Sequence, residues 1–156
     1  MSSARTTGGE ETVCSIARTL EVVGDKWTLL VLREAALRGV TRFADFRREL
    51  GIAPDLLTGL LGSLVTEGIM EKRPYRDPGS RTRYSYHLTP AGEELRLILA
   101  ALQQWGDVHR TPTRGPGHLR RSGTGGRPVS VAFVDDAGTV LPLTEVEFTP
   151  SQGGTR

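Results

Sequence analysis

Apolar residues recur at helical spacing through the first two thirds of the chain, and glycines punctuate them. Val13, Ile16, Ala17, Leu20 and Val23 fall three or four residues apart, which predicts a first helix ended by Gly24. Asp25 is suited to cap a second helix in which Trp27, Leu29, Leu30, Val31 and Leu32 are apolar nearly all round. That is the pattern of a helix at the centre of a small core, and Gly39 closes it. Thr41 is placed to cap a third helix with Phe43, Phe46 and Leu50 inward and Arg42, Arg47 and Arg48 facing solvent, stopped by Gly51. Pro54 opens a fourth, whose Leu57, Leu60, Leu61 and Leu64 share an inner face up to Gly68.

The period then changes. From Ile69 to Leu88 two β-prone stretches, IMEKRPY and RTRYSYHL, flank the turn-forming DPGS, which predicts a hairpin. Thr89 and Pro90 form a cap and first-turn pair for a last helix, striped by Leu95, Ile98, Leu99, Leu102 and Trp105 and ending near His109. Residues 110–127 hold five arginines, no acid and many Gly and Pro, and read as a basic linker. Beyond it VSVAFV and TEVEF alternate around DDAG, which predicts a small β-hairpin appendage over 128–149. Residues 1–12 and 150–156 are expected to be a disordered arm and tail.

Composition narrows the class. A chain of 156 residues with 37% apolar and 24% charged residues fits one soluble domain with ragged ends. The opening MSSARTTGGEET has no apolar stretch behind a basic start, and no apolar run, Leu29–Leu32 behind Trp27 included, approaches the roughly 20 residues of a membrane helix, so a cytoplasmic protein without a membrane partner is expected. Cys14 is the only cysteine, which excludes an intrachain disulfide and a thiolate cluster and leaves an intersubunit bond open. No G-x-S-x-G, Walker loop, dinucleotide fingerprint or H-E-x-x-H spacing occurs, so neither an enzyme nor a cofactor is expected. His109 and His118 lack credible metal-ligand spacing, and no metal site is expected.

Four helices, a hairpin and a further helix make a mainly α fold with a small β-wing (α+β), the layout of a winged helix-turn-helix with flanking dimerisation helices and a C-terminal β appendage. CSIARTLEVVGDKWTLLVLRE, RFADFRREL, LLTGLL, EGIMEK and YSYHLTPAGEEL, in that order, resemble the HxlR family of bacterial transcriptional regulators over residues 13–109. The resemblance implies a homodimer on double-stranded DNA, with the fourth helix in the major groove and the wing on the adjacent backbone or minor groove. One departure stands out. The outward positions of the fourth helix are Asp55, Thr58, Gly59, Gly62, Ser63 and Thr66, where related proteins carry Gln and Arg, and residues 53–68 have net charge −2. The wing has Lys72, Arg73, Arg76, Arg81 and Arg83 against Glu71 and Asp77, a net +3.

The expected DNA contacts are therefore divided. Thr58, Ser63, backbone approach at the glycines and wing arginines (Arg73, Arg76, Arg81, Arg83) would read or hold bases, while Arg42, Arg47 and Arg48 would add phosphate contacts. The plainer alternative is that these arginines only solvate an exposed hairpin. Cys14 falls where oxidant- or electrophile-sensing members of the family carry a reactive thiol, and it reads equally as a small core residue. Trp27 and Trp105 are candidates for stacking on a small-molecule effector in the dimer, or for plain packing. The depleted fourth helix also leaves a second function open: a repurposed scaffold that binds or transforms a metabolite in its dimer cavity with little DNA binding.

Overall fold

The computed structural model describes residues 14–150. The arm at 1–12, Val13 and residues 151–156 of the expected tail lie outside the described residues. The elements run α1 (Ser15–Val23), α2 (Lys26–Arg38), α3 (Phe43–Leu50), α4 (Pro54–Thr66), β1 (Met70–Tyr75), β2 (Arg83–Leu88) and α5 (Pro90–His109), then β3 (Phe133–Val134), β4 (Val140–Leu141) and a 3-10 turn at Leu143–Glu145. The chain is a winged helix, α+β with more helix than strand.

Val31, Leu32, Phe46, Leu57, Leu61, Leu64 and Met70 form the fully buried centre. The apolar faces of α2, α3 and α4 meet the base of the wing there. The Asp25 carboxylate starts α2 by accepting the backbone N–H groups of Trp27 (2.8 Å) and Thr28 (3.2 Å), which have no partner inside the helix. Glu34 is wholly buried on this helix and is tolerable because Arg33 (2.6 Å) and Arg38 (3.0 Å) grip its two oxygens. Arg38 reaches on to Glu49 of α3 at 3.2 Å, linking the two helices.

Between α3 and α4, Gly51 adopts φ 61°, a left-handed conformation that a side chain would strain, and this gives the tight turn of the helix-turn-helix pair. The expected cap at Thr41 is corrected by the structure: Arg42 holds that position without a side-chain hydrogen bond. The Thr41 carbonyl is taken instead by the N–H of Tyr86 (2.7 Å), and Arg42 bridges Ser85. The segment before α3 thus becomes a third edge of the wing, with the Thr41 carbonyl serving the sheet while the Arg42 carbonyl accepts the first helical N–H groups, those of Asp45 (3.0 Å) and Phe46 (3.1 Å).

β1 and β2 pair antiparallel from Met70↔Leu88 to Tyr75↔Arg83. At the base of this hairpin, the Thr89 hydroxyl donates to the Gly68 carbonyl (2.6 Å), its N–H donates to Ile69 (3.0 Å), and its hydroxyl oxygen accepts the Gly92 N–H (3.2 Å). Gly92 is required by proximity, because a Cβ there would lie 2.2 Å from the Ile69 carbonyl oxygen. One residue therefore ties together the end of α4, the wing and the start of α5.

None of residues 110–150 is fully buried, yet the segment is fastened along α5. The Gln104 side-chain amide donates to the Val131 carbonyl and accepts its N–H, both at 2.9 Å. Gln103 donates to the His118 carbonyl (2.6 Å), and Arg120 pairs with Asp107 (3.2 Å). The strands are shorter than VSVAFV and TEVEF predict. Val131 spends its backbone groups on Gln104, and Pro142, which has no N–H, ends β4 before TEVEF, so Leu143–Glu145 coils into the 3-10 turn. The DDAG turn forms as expected, with Asp135 accepting the N–H groups of Ala137 (3.0 Å) and Thr139 (2.8 Å).

Candidate nucleic-acid interface

The outer face of α4 is smooth. Leu57, Leu61 and Leu64 turn inward, which leaves Asp55, Leu56, Thr58, Gly59, Gly62, Ser63 and Thr66 exposed. Thr58 is exposed and donates its hydroxyl to the Pro54 carbonyl (2.9 Å), so the donor is engaged along the helix. A Cβ at Gly59 or Gly62 would meet nothing within 4 Å. These glycines are therefore not required by packing inside the chain, although each costs the helix about 1 kcal/mol relative to Ala. The space they leave is open to whatever the helix docks on.

Arg42, Arg47 and Arg48 flank α3 differently. The Arg42 guanidinium lies 4.4 Å from the centre of the Tyr75 ring and 3.8 Å from Asp77, so it clasps the wing to the start of α3. Arg48 is bound by Asp45 (2.7 Å) and Glu49 (3.2 Å), and hydrogen bonds to these carboxylates raise its pKa above the ordinary arginine value. Arg47 is exposed and makes no ion pair among the described residues.

On the wing, Arg73 is paired with Glu71 of its own strand. Arg76 donates to the Ser80 carbonyl (2.7 Å) and helps fold the tip, where Ser80 N–H donates to Asp77 (3.0 Å) and Gly79 has φ 78°. Arg81 and Arg83 are exposed, and neither makes an ion pair or side-chain hydrogen bond among the described residues. Lys72 lies over the Tyr84 ring at 4.1 Å, also without an acidic partner. Seven expected arginines thus sort into uncompensated cations (Arg47, Arg81, Arg83) and cations already engaged (Arg42, Arg48, Arg73, Arg76). Sequence reasoning missed the aromatic supports, Tyr75 under Arg42 and Tyr84 under Lys72, because they face their cations only once the hairpin closes.

The effector and redox candidates do not converge. Cys14 is the exposed N-cap residue of α1. Trp27 is half-buried and packs on the core, whereas Trp105 lies on the outer side of α5, 5.0 Å from the His109 ring and 5.8 Å from the Arg110 guanidinium. The groove at Trp105 does not include Trp27. Ile16 and Leu20 of the apolar stripe on α1 are exposed, and with Ile98 and Leu102 of α5 they line an apolar groove of about 350 Å³. No helix among the described residues is long and apolar enough to cross a membrane.

Known proteins share this arrangement. The profile of the HxlR-like helix-turn-helix family matches residues 22–114. Rv3095 of Mycobacterium tuberculosis, named as an HTH-type transcriptional regulator, is 44% identical over 103 residues, which is 65% of this chain and 63% of that protein; the chain thus spans less than two thirds of that relative. The solved structure of PA1607, presented as a candidate transcription factor, superposes with a TM-score of 0.77 and 30% identity over 90% of this chain and 97% of that one. The redox regulator HypR in its reduced form aligns with 62% of this chain and 94% of its own, at a TM-score of 0.55 and 30% identity.

Proposed function

Because the chain belongs to the HxlR-like helix-turn-helix family, we propose that it is a homodimeric DNA-binding transcriptional regulator whose wings supply most of the grip on the duplex. The observation that carries this reading is the set of exposed, uncompensated cations on the wing, Arg81, Arg83 and Lys72, beside an α4 face that offers no positive charge. Phosphate contacts of this kind give affinity and register. Base choice then rests on close approach of α4, where Thr58 and Ser63 present small polar groups and the Thr58 methyl suits the thymine methyl in the major groove. The uncovered face of α1 and α5 supports dimerisation, which would place two wings on one duplex.

Fluorescence anisotropy with a duplex from upstream of the protein's own gene and a scrambled duplex, titrated at about 50 and 200 mM salt, tests this. The expected result is tighter binding to the first duplex and a fall of log K with log salt of about 0.9 per phosphate neutralised. Absence of binding to either duplex at the lower salt overturns it. The metabolite-binding alternative would then be favoured, because the α4 face has lost the long polar side chains that reading bases requires.

A redox input is a second reading, favoured by the exposure of Cys14 at the head of α1, on the helix proposed to pair between subunits. Diamide should alter DNA affinity and produce a dimer on a non-reducing gel in the parent protein, and do neither in Cys14→Ser. Equal behaviour of the two proteins ends this reading.

A further inference from the structure

The C-terminal unit carries more apolar surface than it covers. Phe133 and Phe148 meet edge to face with ring centres 6.4 Å apart, but Phe148 remains 85% exposed and Leu143 78% exposed. The Gln104 clamp on Val131 holds this unit beside the second half of α5, where Trp105 is 57% and Val108 70% exposed. Trp105, Val108, Phe133 and Leu143 consequently line one groove of about 460 Å³.

A second groove, formed with α1, lies on the same helix. Ile98, Leu102, Trp105 and Val108 follow each other at steps of three or four, so they make one stripe, with the α1 groove at Ile98 and Leu102 and the C-terminal groove from Ala101 onward. Neither groove is lined by any Lys, Arg, Asp or Glu. His109 lines one groove and Arg110 sits beside Trp105, but the apolar side chains predominate, so a highly charged partner such as a nucleic acid finds little counter-charge there. The chain itself does offer an apolar counterpart, the ridge of Ile16 and Leu20 on α1, the first of which is 68% exposed.

Two grooves arranged end to end on one helix are self-complementary under two-fold symmetry. Where α5 crosses its mate antiparallel near Leu102, the first half of each helix lies over the second half of the other. The α1 ridge of one protomer then faces the C-terminal groove of its partner. We propose that the C-terminal unit forms part of the dimer interface, with the groove of Trp105, Val108, Phe133 and Leu143 receiving Ile16 and Leu20 of a second copy. This rests on the dimeric reading above and assigns the segment beyond the family match a role in it.

Sedimentation of the full chain across a dilution series tests the proposal, with the double variant Phe133→Glu/Leu143→Glu compared with Leu102→Glu. The parent is expected to be a dimer at micromolar concentration, Leu102→Glu to be monomeric, and the double variant to have a dimer Kd raised at least tenfold with its circular dichroism unchanged. Should the double variant lose structure, Leu143→Glu alone, at the most exposed position of the groove, is expected to raise the Kd severalfold. A dimer weakened by Leu102→Glu but indifferent to the C-terminal variants overturns the proposal and leaves the dimeric reading intact. A parent protein that is monomeric throughout overturns both.

Discussion

The outer face of α4 and the outer face of the wing are neighbours with opposite chemistry. α4 carries Asp55, small hydroxyl residues and two glycines, and residues 53–68 contain no base; the wing holds five basic residues against two acidic ones. Their inner faces do not differ in this way, since Leu57, Leu61 and Leu64 of α4 and Met70 of β1 are equally sealed in the core. The contrast therefore belongs to the surface alone. The helix keeps a packing side like that of its neighbours, while the positive charge of this part of the surface sits on the adjacent hairpin.

Five variants break or sharpen that contrast. Leu61→Ala strikes the shared core and should cost about 2–5 kcal/mol, read in thermal melting as a fall of roughly 2–4 °C for each kcal/mol. DNA binding should survive in whatever fraction stays folded, and a variant that melts like the parent would deny α4 its place in the core. Arg81→Ala with Arg83→Ala should weaken binding to every duplex by about tenfold near 0.1 M salt and reduce the salt slope by about 1 for each phosphate no longer neutralised. Unchanged affinity would remove the wing from the interface.

Gly62→Arg adds to α4 the reach it lacks, at a position with open space around the new side chain. It should tighten DNA binding severalfold and raise stability by up to about 1 kcal/mol. Weakened binding without loss of stability would mean that the glycine is needed for close approach of the backbone. Smallest of all is the difference between neighbours on α3: Arg47→Ala should weaken binding by about twofold to threefold, while Arg48→Ala, whose charge Asp45 and Glu49 already balance, should change it by less than about twofold. The reverse order, measured in the same anisotropy titration, would show that the ion pairs open on DNA.

The helices were legible because burial repeats every three to four residues and Gly, Pro and Asp mark their ends. Asp25 illustrates this, since a carboxylate before an apolar run has two orphan N–H groups to accept. Periodicity has a blind side, however. Ile16 and Leu20 keep the spacing of core residues yet face out, because spacing marks a shared helix face and not what covers it. Thr41 has the chemistry of a cap, but strand pairing with Tyr86 claimed its carbonyl and moved the helix start by one residue. The candidate site was legible as a charge count and not as a geometry: only the folded hairpin separates Arg83, which is free of acidic partners among the described residues, from Arg42, which Tyr75 and Asp77 hold.

The bonds made by Thr89 give the molecule a lever. α5 has 20 residues and so is about 30 Å long, and a tilt of roughly 5° about its far end displaces its root by about 3 Å. The hydroxyl fastened to Gly68 joins that root to the base of the hairpin. Were α5 to cross a second copy of itself as proposed above, a change in that crossing would reach the base of the hairpin through Thr89.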